Sequence, residues 1–227
     1  MIVMRPVESF GDDLAGWYWS EKIDGFRCVW NGFQFQSRSG KRFDAPQAWV
    51  DAMPAQPLDG ELFAGSWRKT ASAIKSGNWA TLRFYVFDVP ESGRFEERMA
   101  KIPNALPSFC EVVEHLPVFS TAHALQVMAD VSEAGGEGIV CRPPSEDHSP
   151  VKLKPCMDAE AVIIKANFRT YATIPASYTL ERDGQQFKAR ASGRLIPSGT
   201  LVTFYHRGFD PEGTPRFASV KGERLFD

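Results

Sequence analysis

Alternating apolar and polar positions predict a series of short strands in the first two thirds of the chain. Residues 26–39 hold two alternating runs around Asn31-Gly32, which favours a hairpin because both turn residues tolerate positive φ. Residues 57–65 and 81–89 predict two more strands, and the second is apolar enough to be buried on both faces. Two further short strands are predicted at 137–142 and 150–155.

Helical patterns lie between these strands. Residues 66–77 predict a short helix, and residues 121–136 place apolar side chains at helical spacing. The pair Gly135-Gly136 marks the end of the second helix, because glycine readily adopts the left-handed conformation that follows a helix. The first part of the chain is therefore predicted to be a mixed α+β domain.

The pattern changes after Pro155. Strands are predicted at 159–168 and 199–208, and residues 178–193 predict a hairpin around Asp183-Gly184. About 70 residues of short strands without a helix favour a small Greek-key barrel, for which the OB fold is the obvious candidate. We therefore expect two domains, 1–155 and 156–227.

The net charge of −2 hides an asymmetry between these two parts. Residues from 150 onward contain 12 Lys and Arg against 8 Asp and Glu, whereas the preceding residues contain 14 against 20. A basic rear part could follow a phosphate backbone. A solvated surface of mixed charge explains the same count equally well.

Composition points to an ordinary globular protein. Hydrophobic residues make up 43% and charged residues 24%, and no apolar run approaches the roughly 20 residues that a membrane span needs. The N-terminus lacks the basic start and apolar stretch of a secretory leader, so a cytoplasmic protein is expected, or a periplasmic one if a leader was removed. The cysteines and histidines lack metal-ligand spacing and are interpreted as structural.

Lys22 is the candidate nucleophile. It lies between two predicted strands in the string Glu21-Lys22-Ile23-Asp24-Gly25-Phe26-Arg27. An amine must be neutral to attack, yet only ~0.04% of free lysine is neutral at pH 7, because its pKa is near 10.4. Burial and nearby cations would raise that fraction, and they would also neutralise the charge of a triphosphate. Alone, the string is more commonly explained by a surface lysine before an Asp-Gly turn.

Four later segments carry side chains suited to AMP transfer. Glu61 and Glu137 could hold a ribose hydroxyl or a divalent ion, and Phe87 could offer its face to a purine. Lys152 and Lys154 are two residues apart on a predicted strand, so they would point the same way towards a phosphate. Phe84 and Phe87 have opposite parity, so only one is expected to face the nucleotide.

Taken in order, these motifs resemble the covalent nucleotidyltransferase superfamily of DNA ligases, RNA ligases and mRNA capping enzymes. The chain is most similar to the minimal two-domain ATP-dependent DNA ligases, over nearly its whole length. The resemblance implies an adenylation domain followed by an OB-fold barrel, with AMP carried on Lys22 of the KxDGxR motif. The other residues that it implies in ATP or AMP binding are Glu21, Ile23, Arg27, Arg38, Glu61, Phe87, Glu137, Lys152 and Lys154.

The same resemblance assigns further roles. Glu61 and Glu137 match residues associated with Mg²⁺ or Mn²⁺. Arg142 completes the EGxxxR motif, and Arg216, Lys221 and Arg224 are candidates for contact with pyrophosphate or nucleic acid near the C-terminus. Only the PRF part of that basic motif is clearly matched, and no insertion resembles an encircling latch, so two domains are expected to grip the duplex directly.

The implied reaction is the ATP-dependent sealing of nicks between a 5′-phosphate and a 3′-hydroxyl in duplex DNA by a monomer. ATP is expected rather than NAD because a nicotinamide-binding front domain and zinc cysteines have no counterpart in this sequence. An RNA ligase or a capping guanylyltransferase shares the lysine chemistry and is the main alternative. A non-catalytic nucleic-acid-binding module is a further one.

Overall fold

The computed structural model describes residues 13–146, 150–210 and 212–223. The chain divides into two compact units, one ending at Leu153 and the other beginning at Lys154. Within the described residues, no helix is both long enough and apolar enough to span a membrane.

The described residues of the first unit form nine strands in two sheets. In chain order they are β1 (Tyr18–Glu21), β2 (Phe26–Trp30), β3 (Phe35–Gln36), β4 (Leu58–Phe63), β5 (Arg83–Asp88), β6 (Cys110–Val112), β7 (Leu116–Pro117), β8 (Ile139–Arg142) and β9 (Val151–Leu153). One sheet has the order β7-β1-β8-β9 and the other the order β3-β2-β4-β5-β6. Because β1 and β2 belong to different sheets, the segment between them, which carries Lys22, passes from one sheet to the other.

Over the part of this unit that the structure describes, four α-helices accompany the sheets. They are α1 (Gln47–Ala52), α2 (Trp67–Ser76), α3 (Phe95–Met99) and α4 (Thr121–Glu133). Ser66 caps α2 by accepting a hydrogen bond from the Lys69 amide, and Ser120 caps α4 in the same way. Gly77 ends α2 in the left-handed conformation. Both helices predicted from the sequence are therefore confirmed, whereas α1 and α3 were not predicted.

The larger sheet carries the main core of the first unit. Trp30, Phe35 and Phe84 are fully buried there, and the rings of Phe35 and Phe84 meet edge to face at 5.4 Å. Such an aromatic core fixes the strand register, since a slip of one residue would expose these rings. The neighbouring strands β2 and β4 therefore hold Arg27 opposite Glu61.

The second unit contains five strands and, among its described residues, no helix. They are β10 (Met157–Asn167), β11 (Ser177–Arg182), β12 (Gln185–Arg190), β13 (Leu201–His206) and β14 (Ser219–Glu223). They pair in the order β10-β11-β12-β14-β13, and β13 pairs in turn with β10. Tyr178, Leu180 and Phe204 are among the fully buried residues of its separate core.

The two predicted hairpins have different turns. Asp183 and Gly184 both have positive φ, at 52° and 78°, which is the turn that an Asp-Gly pair favours. At Asn31-Gly32 only Gly32 has positive φ, and the loop is four residues long. The Asn31 side chain accepts hydrogen bonds from the amides of Phe33 and Gln34 instead. The predicted hairpin is confirmed there, but the expectation that both turn residues have positive φ is wrong.

Candidate active site

Lys22 follows directly after β1 and lies against the loop that precedes β8. Its amide donates a hydrogen bond to the carbonyl of Gly138 at 2.9 Å. Its ammonium forms an ion pair with the carboxylate of Glu137, and the two side chains are 18% and 19% exposed. The structure thus brings together the KxDGxR motif of Lys22 and the EGxxxR motif of Glu137, in a position that solvent still reaches.

The surroundings of Lys22 differ from one expectation. Sequence reasoning placed cations around this amine, whereas its direct ion-pair partner is a carboxylate. Two of these charges also act on Glu61: the charge of Lys22 lowers the pKa of its carboxyl, and the charge of Glu137 raises it. The nearby cations expected from the sequence remain a prediction, and Lys22 must leave Glu137 before it can act as a nucleophile.

Gly25 explains why the KxDG segment contains a glycine. A Cβ at this position would overlap the carbonyl oxygen of Leu62 and lie 2.9 Å from Cγ of Glu61. The absence of a side chain lets the segment lie directly on β4, where the Gly25 amide acts to lower the pKa of the Glu61 carboxyl. This close approach positions Lys22 and Glu61 in one site.

Burial governs the electrostatics of Glu61. It raises the pKa of this carboxyl to about 7, although Lys22 and Arg27 act in the opposite direction. Glu137 adds to the upward shift through like-charge repulsion. Glu61 therefore changes charge near neutral pH, and a cation or a hydroxyl donor at its carboxylate would stabilise the ionised form.

Arg27 connects the lysine segment with β4. Its guanidinium forms an ion pair with Asp59 and lies over the ring of Phe87, 4.4 Å from the ring centroid. Burial raises the pKa of Asp59 despite the favourable charge of Arg27. One carboxylate oxygen of Asp59 is buried without a hydrogen-bond partner among the described residues. The site thus offers an unused acceptor beside an aromatic ring.

Phe84 and Phe87 point to different surroundings, as their parity predicts. Phe84 belongs to the core, whereas Phe87 lies outside that core cluster with a guanidinium from Arg27 and another from Arg142 against its ring. The Arg142 contact is 4.8 Å from the ring centroid. Phe87 is the aromatic side chain that the fold offers to this site.

Arg142 is buried, with 7% of its surface exposed. Its guanidinium donates a hydrogen bond to Ser20 Oγ at 3.0 Å and lies 3.3 Å from His115 Nε2. Burial lowers the pKa of Arg142 to about 10, and burial together with the Arg142 charge lowers the pKa of His115 to about 4. His115 is therefore neutral at pH 7 and can accept a hydrogen bond from the charged arginine. Arg142 therefore lies in the interior of the site, and its contact with pyrophosphate or nucleic acid stays a prediction.

A cleft opens beside Phe87. Asp88 and Arg98 hold one side through a two-pronged ion pair, with nitrogen–oxygen distances of 2.8 and 3.1 Å. The cleft is lined by Arg27, Phe87, Asp88, Arg98, Arg142, Pro143, Ser145 and Pro150. Sequence reasoning interpreted His115 as structural and missed Arg98, because nothing in the local sequence links α3 to β5.

Three of the predicted cations lie on or near strands β3 and β9. Arg38 is exposed in the turn after β3, and Lys152 is exposed on β9. Strand β9 ends at Leu153, so Lys154 lies beyond the strand and is the first residue of the second unit. The prediction of both lysines on one strand is therefore wrong, since Pro155 lacks the amide needed to extend it. The remaining neighbours of Lys22 are Glu21, which is exposed, and Ile23, which is half-buried.

The basic candidates near the C-terminus lie in the second unit. Arg216 is exposed, with its guanidinium 5.9 Å from the ring centroid of Phe217, and Lys221 lies 5.4 Å from that of Tyr205. Arg224 lies outside the described residues. The four cysteines are free thiols, and those at 28 and 141 are buried.

Comparison of the chain with known proteins identifies its family. No family model matches the chain. A DNA ligase of Haemophilus influenzae is 31% identical over 238 residues, covering 93% of this chain and 88% of that protein. The chain belongs to the DNA ligase family.

Solved structures agree with this assignment. A structure of a Lig E DNA ligase, described as binding DNA with a minimal scaffold, superimposes on this ligase with a TM-score of 0.82 and 28% identity, covering 94% of each chain. The Chlorella virus DNA ligase-adenylate is similar in fold, with a TM-score of 0.52 and 20% identity over 93% of each chain. The fold of this chain is thus shared with other DNA ligases.

Proposed function

We propose that this DNA ligase uses ATP to seal nicks between a 5′-phosphate and a 3′-hydroxyl in duplex DNA, with AMP carried on Lys22. The observation that carries this proposal is the position of Lys22. It lies beside the carboxylates of Glu137 and Glu61, and β2, which follows the lysine segment, brings Arg27 over the ring of Phe87. A nucleophilic amine, two carboxylates and an aromatic face are what adenylate transfer requires.

The nucleotide would bind along this row of side chains. The ring of Phe87 supports a purine by stacking, and the unpartnered oxygen of Asp59 lies beside the arginine that now covers the ring. Glu61 accepts a ribose hydroxyl from its position across from Arg27. Arg27 must then move from the ring or bind the nucleotide edge-on, so it acts as a side chain that the purine displaces or engages.

The reaction follows in three steps. Lys22 Nζ loses a proton to solvent and attacks the α-phosphorus, so that a nitrogen–phosphorus bond forms while the bond to pyrophosphate breaks. The 5′-phosphate of the nick then attacks the same phosphorus, and Lys22 is released as the amine. Finally, the 3′-hydroxyl attacks the activated 5′-phosphate and AMP leaves. Lys152 and Lys154 are the proposed cations for the phosphate charge.

The residues present fit a divalent ion only in part. Among the described residues, no group of three or more His, Cys, Asp or Glu could hold a metal. Mg²⁺, however, is commonly bound by one or two carboxylates together with substrate phosphates. Glu61 and Glu137 would supply those carboxylates, and the ion would neutralise phosphate charge during transfer. The raised pKa of Glu61 is consistent with a carboxylate that gains from a bound cation.

The second unit would hold the duplex. Its strand pairing and the likeness in fold to other ligases support an OB-fold barrel over 156–227, following an adenylation domain over 1–155. Arg216, Lys221 and Arg224 are proposed to contact pyrophosphate or DNA. We also propose a monomer, located in the cytoplasm unless a leader is removed.

The experiment that tests this function has two arms. The protein is first incubated with α-labelled ATP and examined on a denaturing gel for a labelled band. It is then incubated with ATP, Mg²⁺ and a duplex carrying one 5′-phosphorylated nick, and sealing is followed by strand length. A labelled band with sealing of the DNA nick supports the proposal. Sealing of nicked RNA alone would contradict it and favour an RNA ligase.

A further inference from the structure

The loop between β10 and β11 exposes large apolar side chains. Residues 168–176 form this loop, in which Phe168 is 48% exposed, Ile174 is 51% exposed and Tyr171 is fully exposed. Single exposed apolar residues are common, but three of them within seven positions form a patch. The core of the second unit does not use them.

Tyr171 is held in an unfavourable backbone conformation. The Ala172 amide donates a hydrogen bond to the Arg169 carbonyl at 3.1 Å, which closes a turn with Tyr171 in its third position. Tyr171 has φ of 62°, a left-handed conformation that favours glycine or asparagine and strains a tyrosine. A strained, fully exposed ring contributes nothing to folding, and such strain is typical of functional positions.

The base of the loop is nevertheless firmly held. The Ala176 amide donates to the Asn167 carbonyl at 2.8 Å, and the Asn167 side chain donates to Ser177 Oγ at 3.4 Å and to Thr179 Oγ1 at 3.2 Å. Pro175 is buried. The turn that carries Tyr171 is thus presented from an ordered base.

The charge of the residues in and around this loop favours a negatively charged partner. Residues 161–180 contain no Asp or Glu, and both of their basic residues, Lys165 and Arg169, are exposed. The segment therefore combines positive charge with exposed apolar rings. Nucleic acid presents the complementary surface, with phosphates beside the flat apolar faces of sugars and bases.

We infer that the 168–176 loop is a duplex-DNA contact of this ligase. Arg169 and Lys165 bind phosphates, and the Tyr171 ring, flanked by Phe168 and Ile174, packs against sugars and base edges in the groove. This assignment rests on the proposed function, since it names a part of the surface that holds the same DNA substrate. It assigns no role in the chemistry at Lys22.

The test is Tyr171→Gly, which removes the ring and relieves the backbone strain. Binding is measured by fluorescence anisotropy on a nicked duplex with a dideoxy 3′ end, which cannot be sealed. We expect the Kd for this duplex to rise about 10-fold, equivalent to ~1.4 kcal/mol, because the apolar contact of the ring is lost. The thermal midpoint should stay the same or rise, and labelling of the protein by ATP should be unchanged. Tyr171→Phe should retain the binding, and Tyr171→Asn serves as a second variant that tolerates positive φ.

Arg169→Ala tests the charged part of the loop. The slope of log Kd against log salt should become shallower by about 1, as expected for loss of one phosphate contact. Phe33→Ala is the matched control, because Phe33 is 83% exposed on a loop of the first unit. Its affinity for the nicked duplex should equal that of the unaltered protein.

The outcomes separate this inference from the proposed function. If the unaltered protein seals nicks while Tyr171→Gly binds and seals as well as it does, the loop assignment is overturned and the ligase function stands. If the unaltered protein forms no labelled band and seals no nick, the proposed function itself fails, and the loop assignment fails with it. Weakened binding in Tyr171→Gly but not in Phe33→Ala supports the inference.

Discussion

At the scale of single residues, the site is built from charges that compensate one another only partly. Lys22 is paired with Glu137, Arg27 with Asp59, and Arg98 with Asp88. Glu61 has no such direct pair among the described residues and has a pKa of about 7 because of its burial. Because of this desolvation, the carboxyl of Glu61 beside the proposed nucleophile titrates close to neutral pH.

The raised pKa of Glu61 predicts how stability depends on pH. Below about pH 4.5 the group is protonated in both the folded and unfolded states, and its stabilising effect is fully present. This contribution is lost as the pH rises through about 7, because the folded protein holds the proton more tightly. Glu61→Gln cannot ionise, so at pH 8 it should be more stable than the unaltered protein, on the order of 2–3 kcal/mol.

Urea unfolding at pH 5 and pH 8 measures this effect. The stability difference between Glu61→Gln and the unaltered protein should be larger at pH 8. Glu114→Gln is the control, since Glu114 is exposed, and it should follow the unaltered protein at both values. An equal difference at the two pH values for Glu61→Gln would show that the carboxyl does not titrate in this range.

Phe87 predicts a specific loss of nucleotide affinity. Phe87→Leu keeps most of the apolar volume but removes the flat face, so the KM for ATP in adduct formation should rise roughly 3- to 10-fold, with little change in the limiting rate. The rate of adduct formation is measured over a range of ATP concentrations. An unchanged KM would remove Phe87 from the nucleotide site.

At the scale of elements, two glycines let strands approach closely where the site is assembled. Gly25 lies on the backbone of β4, and a Cβ at Gly60 would overlap the carbonyl oxygen of Tyr85 on β5. Gly25 belongs to the KxDGxR motif, and Gly60 directly precedes the candidate residue Glu61. The close approach explains why these positions carry glycine without any need for positive φ.

Gly25→Ala should therefore disrupt the site more than the fold. Its added methyl group would push the lysine segment away from β4, with a stability loss of about 1–3 kcal/mol and at least a roughly 10-fold slower adduct formation. Gly222→Ala is the control, because the nearest neighbour of its Cβ would lie 4.0 Å away. Denaturant unfolding and labelling by ATP measure the two effects. Adduct formation at the normal rate in Gly25→Ala would contradict the proposed role of the close approach.

Element prediction succeeded where periodicity was long or turn residues were distinctive. The helix α4 has 13 residues and a serine cap, and β11 and β12 flank an Asp-Gly turn. By contrast, α1 and α3 have only 6 and 5 residues, too few to establish a 3.6-residue period. Strands β6 and β7 are similarly short and depend on neighbours distant in sequence.

At the scale of the whole molecule, motif order predicted more of the site than local pattern did. It selected Lys22, Glu61, Phe87 and Glu137 as candidate site residues. In the structure Lys22 forms an ion pair with Glu137, and its charge acts on the pKa of Glu61. The ion pair of Arg98 with Asp88 and the contact of His115 with Arg142 arise only when α3 and the β6–β7 segment pack against β5 and β8. Such tertiary contacts leave no periodic signal in the sequence.

The choice of nucleotide is a prediction about the whole enzyme. Labelled ATP should produce the covalent band, whereas labelled NAD and GTP should not, because the proposed cofactor is ATP. The three nucleotides are compared at equal concentration with the same protein preparation. A band with NAD alone would overturn the proposed nucleotide while leaving the lysine chemistry intact.

The most direct test of the account is mass spectrometry of the purified protein after incubation with ATP and Mg²⁺, without DNA. We predict one added adenylate, located on the peptide that contains Lys22, and no addition in Lys22→Ala. Adenylate on another residue, or an intact adduct in Lys22→Ala, would contradict the account.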